Sequence, residues 1–232
     1  MKDSMWVKVC GIRDPLTVTE LTRLPKTGRP DAIGLNFYPN SPRFIDRETA
    51  AAVVAELDGA IEAVGLFVNA AIEQIVAIQR ELRLPRLQLH GDESPEFLSE
   101  LGQACPGVAL IRAMRVGEKG TGEISDYLRR CSELDAIPDA CLVDARVPGS
   151  YGGTGQSPPW SLLAGEYRFE SWPPLVLAGG LEPGNVLQAI ETVRPFGVDV
   201  ASGVETNEGV KDIKAVSRFV ENARAAADRR EG

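Results

Sequence analysis

A thiol and a carboxylate stand where two apolar runs give out. Cys10 closes WVKVC (6–10), and Asp144 is the next-to-last residue of ACLVDA (140–145). An acid at the end of an apolar strand gains nothing from burial and is costly there if it stays charged and unpaired. It either caps the RVPGSYGG loop that follows, by bonding backbone amides, or it moves protons. Cys10 taken alone reads more readily as core, because free cysteine is a common buried residue. An acid and a thiolate base on opposite sides of one substrate are what a proton-shuttling isomerase needs. Such a base must be helped, since an ordinary cysteine titrates at about 8.5.

Three glycine-rich stretches add a second kind of chemistry: GGTGQ (152–156), AGGLEPGNV (178–186) and ASGVETNEG (201–209). Glycine lets the backbone approach an anion closely, and successive N–H groups then bind phosphate. One Gly-Gly is ordinarily a turn. Three in succession point to a phosphorylated substrate. His90, after RLQL, is a candidate to bond substrate or to donate a proton, and equally a loop anchor. Arg43, in NSPRF, carries a fork suited to a carboxylate through two parallel bonds.

These residues need elements to hold them. Eight β-rich runs recur: WVKVC (6–10), AIGLNF (32–37), IEAVGLFV (61–68), RLQLH (86–90), VALIRAM (108–114), ACLVDA (140–145), LVLAGG (175–180) and VDVAS (198–202). Helices read between them. Asp14-Pro15 and Ser94-Pro95 combine an N-cap with proline at the first helical position, and Asp46 caps RETAAAVVAEL, with Gly59 as its stop. Asn69 opens NAAIEQIVAIQREL. Ile124, Leu128 and Cys131, and Val186, Ile190 and Val193, fall at helical spacing, which makes Cys131 a core residue.

Eight strand–helix units predict a closed parallel (β/α)₈ barrel formed as one domain over residues 1–232. A doubly wound open sheet would carry its glycine fingerprint in the first βα turn, and none is there. Barrel active sites lie at the C-terminal ends of the strands, where this chain offers Cys10, Asn36, His90, Arg112, Asp144, Gly179, Gly180 and Ser202. Lys8 points to the same face as Cys10, and Asp199 reaches the same level on strand eight, strand one's neighbour after closure. An ion pair between them, beneath the thiol, is expected.

The formal net charge is −8 with no basic cluster, against nucleic acid or an anionic membrane as partner. No apolar run is long enough to span a bilayer, and the start, MKDSMWVKV, lacks a signal-peptide core. The cytoplasm is the expected compartment. Four scattered cysteines and a single histidine argue against a disulfide framework or a zinc site.

With these residues placed, the chain resembles the phosphoribosylanthranilate isomerase family of tryptophan biosynthesis. The resemblance rests on KVCGIRDP (8–15), GLNFYPNSPR (34–43), VGLFVN (64–69), LQLHGDES (87–94), LVDA with GGTGQ (142–156), LAGGLEPGNV (177–186) and DVASGVETNEGVKD (199–212). It implies a (β/α)₈ barrel that performs an Amadori rearrangement of N-(5-phosphoribosyl)anthranilate without metal or cofactor, as a monomer or homodimer. It implies Cys10 as general base and Asp144 as general acid. Arg43 would hold the anthranilate carboxylate and His90 would line the same side, with Lys8 and Asp199 completing the substrate-binding set. Gly155, Gly179, Gly180, Ser202 and Gly203 would bind phosphate. Asn40, Ala145 and Gln156 depart from the family's usual residues, removing positive charge and a donor from the mouth. The alternatives are another phosphosugar epimerase or aldolase barrel, or a non-catalytic phospho-ligand sensor. An aldolase would show a lysine at a strand tip, and here Lys8 is mid-strand.

Overall fold

Strands rich in valine, leucine and isoleucine, apolar on both faces, suit a parallel sheet wrapped in helices. In the structure, a computed structural model that describes residues 5–116, 120–145 and 159–228, they form one. The strands are β1 (Trp6–Cys10), β2 (Ala32–Asn36), β3 (Glu62–Phe67), β4 (Arg86–Leu89), β5 (Ala109–Val116), β6 (Ala140–Ala145), β7 (Leu175–Leu177) and β8 (Gly197–Val200). They run parallel in chain order and close, with Lys8 paired to Ala32 on one side and to Asp199 on the other. Around them lie α1 (Pro15–Thr22), α2 (Arg47–Ala55), α3 (Ile72–Leu82), α4 (Pro95–Ala104), α5 (Gly122–Glu133), α6 (Trp160–Glu166), α7 (Val186–Val193) and α8 (Ile213–Asp228). This is the (β/α)₈ barrel that the sequence predicts. A short antiparallel hairpin, β9 (Glu205–Asn207) and β10 (Val210–Lys211), follows β8.

The capping signals work as read. Asp14, Asp46 and Ser94 accept hydrogen bonds from the backbone N–H of Thr17, Thr49 and Phe97. Two helix boundaries differ. α2 ends at Ala55, and Gly59 (φ +81°) serves instead the turn into β3, where Asp58 accepts from the Ala60 N–H. Asn69 does not open α3; its φ is +50° and its side chain accepts from the Asp92 N–H, joining the loops after β3 and β4.

Alternation along each strand sorts the interior. Val7, Val9, Leu87 and Leu89 point outward beneath the helices. Trp6, Ala32, Val64, Leu142 and Val176 point inward and fill the barrel floor. The same parity overturns one expectation. Ile111 and Ala113 face inward, so Arg112 faces outward, away from the barrel mouth. There its guanidinium donates to the carbonyls of Leu89, Gly91 and Ala113 and pairs with Glu93 at 3.2 Å. Glu93 also accepts from the N–H groups of Asn69 and Gly91. This buried cluster fastens the loop that begins at His90. Glu93→Ala leaves Arg112 buried without its counter-charge, and urea unfolding should show a loss of about 3–5 kcal/mol.

Candidate active site

Lys8 is wholly buried, and its Nζ lies 2.9 Å from Asp199 Oδ2. This is the ion pair expected beneath the thiol. Burial works against the lysine's charge, but Asp199 and Cys10 hold its pKa above the ordinary lysine value. Lys8 therefore belongs to the layer under the site rather than to its surface. Asp199 uses one oxygen on Lys8, while its Oδ1 has no hydrogen-bond partner among the described residues.

One step up β1 on the same face, Cys10 packs with Leu66, Val68, Tyr38 and Ala201 at the mouth. Gly34 is its register partner on β2, and a Cβ there would come within 2.6 Å of Sγ. The neighbouring strand has no side chain where the thiol needs room. Burial pushes the thiol's pKa up, more than the field of Lys8 brings it down.

Asp144 lies inward at the top of β6, two residues beyond the floor residue Leu142. His90, just past β4, sets Nε2 3.8 Å from Asp144 Oδ2. Burial first, then the charges of Lys8, Arg112 and Arg115, lower the imidazole pKa to about 3. The contact is thus between a neutral imidazole and a carboxyl group, not an ion pair. Gln88, fully buried on the same face of β4, places its amide nitrogen 2.9 Å from His90 Nδ1.

Arg43 Nε and Nη2 form two parallel 2.8 Å bonds to Glu205 on the hairpin. Lys211 joins the same carboxylate at 2.6 Å and donates to the Ala201 carbonyl at 3.0 Å. Burial opposes ionisation of Glu205, yet the bonds from Arg43 and Lys211 hold its pKa at about 2.

The glycine turns sit where expected. Gly179 and Gly180, just beyond β7, take φ values of +87° and +60°. Ser202–Val204 forms a 3₁₀ turn, and a Cβ on Gly203 would meet the Leu181 carbonyl oxygen at 1.9 Å. The two loops touch there, and only a glycine fits. Gly155, with the rest of GGTGQ, lies outside the described residues.

Sequence reasoning missed Gln88, Gly34, Glu205 and Lys211. Gln88 shares the parity of His90, so strand alternation alone puts it inside. Glu205 and Lys211 carry no local signal of their pairing with Arg43, which is 162 residues from Glu205.

Barrel and mouth together are those of a (β/α)₈ protein whose polar groups gather at the C-terminal ends of its strands. A sequence profile described as N-(5'phosphoribosyl)anthranilate (PRA) isomerase matches residues 7–222. The Myxococcus xanthus N-(5'-phosphoribosyl)anthranilate isomerase is 42% identical over 224 residues, covering 96% of this chain and 97% of that protein. The crystal structure of the Thermotoga maritima phosphoribosyl anthranilate isomerase superposes with a TM-score of 0.80 at 33% identity, covering 95% and 99% of the two chains. A phosphoribosyl anthranilate isomerase in complex with reduced 1-(o-carboxyphenylamino)-1-deoxyribulose 5-phosphate gives 0.78 at 31%, with the same coverage. The chain belongs to the N-(5'-phosphoribosyl)anthranilate isomerase family.

The depressed pKa of Glu205 makes stability depend on pH. Its contribution is complete above the ordinary glutamate value of 4.5 and is lost as pH falls toward about 2. Urea midpoints across that window should fall less steeply for Glu205→Gln than for the unaltered protein.

Proposed function

We propose that the chain rearranges N-(5-phosphoribosyl)anthranilate to 1-(2-carboxyphenylamino)-1-deoxyribulose 5-phosphate, with Asp144 as general acid and Cys10 as general base. The observation that carries this reading is placement: both side chains point inward at the mouth of one closed barrel, from β1 and β6. Asp144 protonates the ribose ring oxygen, and the C1–O bond opens to a Schiff base. Cys10, as thiolate, takes the C2 proton, and the resulting enolamine tautomerises to the ketose. Each transfer is worth about 10²–10⁴-fold when positioned. Only proton movements are required, and the thiol and the acid supply them.

Burial sets a condition on Cys10. The thiol has to lose its proton as substrate enters, when the positive charges of Lys8 and Lys211 are the groups that favour the thiolate. Arg43 meets the anthranilate carboxylate with Nη1, since Glu205 occupies its Nε and Nη2 edge. Gly179, Gly180, Ser202 and Gly203, together with Gly155, offer backbone N–H groups to the phosphate. Asp199 Oδ1 is an acceptor for a sugar hydroxyl.

We place the reaction in the cytoplasm, a reading supported by four free cysteines. No helix among the described residues is long and apolar enough to cross a membrane. A homodimer is the proposed assembly, because the Thermotoga maritima relative is described as dimeric. The net charge of −8 leaves nucleic acid and anionic membranes out of the proposed partners.

Loss of the fluorescent anthranilate adduct tests the chemistry. The unaltered protein should turn it over, and Cys10→Ala and Asp144→Asn should each lower kcat by about 10²–10⁴-fold. Full turnover by both variants would remove these roles. Binding without turnover by the unaltered protein would favour a phospho-ligand sensor.

A further inference from the structure

Gln88 is fully buried on the inner face of β4, where an amide has to be matched by hydrogen bonds to be tolerated. Its amide nitrogen finds one partner, His90 Nδ1, at 2.9 Å. Two polar atoms of this pair, Gln88 Oε1 and His90 Nε2, have no hydrogen-bond partner among the described residues. His90 Nε2 is aimed at Asp144, 3.8 Å from Oδ2. The charged groups acting on the ring are Lys8 from β1 and Arg112 and Arg115 from β5, with Asp144 from β6 in contact. Three cations and burial keep the imidazole neutral, so it carries a single N–H.

Which nitrogen holds that proton is a chemical matter for Asp144. A donor at Nδ1 forces the lone pair there and the proton onto Nε2. Once Asp144 has given up its proton, the carboxylate oxygen opposite Nε2 favours the same arrangement, because a lone pair there would face another lone pair. The other two states of the ring serve an acid badly. An imidazolium 3.8 Å away would hold Asp144 as carboxylate from the outset, with no proton to give. An Nε2 lone pair would not stabilise the carboxylate once the proton had left. A neutral Nε2–H avoids both: it sets no positive charge beside Asp144, and it bonds the carboxylate as the proton leaves.

We propose that Gln88 is a positioning residue for the isomerisation, holding the chain's one histidine as its neutral Nε2–H tautomer so that a hydrogen-bond donor faces Asp144. The proposal rests on Asp144 as general acid, but its first test does not. With a single histidine in the chain, long-range ¹H–¹⁵N correlation of ¹⁵N-labelled protein gives one imidazole spin system. At neutral pH, Nε2 should appear as the protonated nitrogen and Nδ1 as the bare one. In Gln88→Met, similar in length but without a donor, that assignment should collapse toward a mixture of tautomers. kcat should fall about five- to tenfold, the worth of one hydrogen bond, with KM changed less.

A bare Nε2 or an imidazolium in the unaltered protein overturns the proposal. So does a Gln88→Met variant that keeps the Nε2–H tautomer, whatever its kcat, or one that loses the tautomer at full kcat. If Gln88→Met does not fold, the spectrum of the unaltered protein and the kinetics of Gln88→Glu decide. Its carboxylate draws the proton to Nδ1, so kcat should fall at least as far, and an unchanged kcat overturns the proposal. Absence of turnover by the unaltered protein would count against the proposed reaction and leave the tautomer measurement standing.

Discussion

A lysine with no solvent exposure at the centre of a barrel is tolerable only if something neutralises it, and Asp199 does so at 2.9 Å. The pair spans the seam where β8 closes on β1, at residues that are also register partners. Closure and charge compensation thus depend on each other: an open sheet would leave Lys8 without Asp199. The residues proposed for the chemistry stand above this layer. Cys10 is the next inward residue above Lys8, and the lysine's charge also reaches His90 across the barrel.

Above that layer, the mouth is organised by buried polar groups that hold one another. Arg43, Glu205 and Lys211 form two cations around one carboxylate, so one positive charge remains near an otherwise apolar thiol. The hairpin that supplies Glu205 and Lys211 follows the 3₁₀ turn carrying Ser202 and Gly203. One segment therefore steadies the arginine proposed for the carboxylate and places the amides proposed for the phosphate. On the opposite side, the outward cluster of Arg112 and Glu93 fixes the loop that begins at His90. Rigid surroundings of this kind keep proton donors and acceptors within reach of a bound sugar.

Much of this was legible in the sequence, for identifiable reasons. Strand alternation put Lys8 and Cys10 on one face, and eight repeating units implied closure, which together yielded the Lys8–Asp199 pair. Caps at Asp14, Asp46 and Ser94 are local chemistry and were readable as such. Arg112 stands near a strand end, but its parity against Ile111 and Ala113 turns it outward, and residue type alone does not reveal that. Arg43 takes a carboxylate in a fork, the geometry that its guanidinium suits. The carboxylate it holds comes from another part of the chain, and no local pattern announces a partner that only folding brings near. Gly34 is of the same kind: an unremarkable glycine in GLNF until closure sets it beside Sγ.

The positive charge directly beneath Cys10 pulls against the burial that raises its pKa, and so favours the thiolate that the proposed base requires. Alkylation of Cys10 by iodoacetamide, followed against pH and assigned by peptide mass, measures it in the intact protein. Replacing the cation by Lys8→Met removes its pull and leaves Asp199 uncompensated, so the midpoint of Cys10 reactivity should move to higher pH. A midpoint unchanged from that of the unaltered protein would contradict the account.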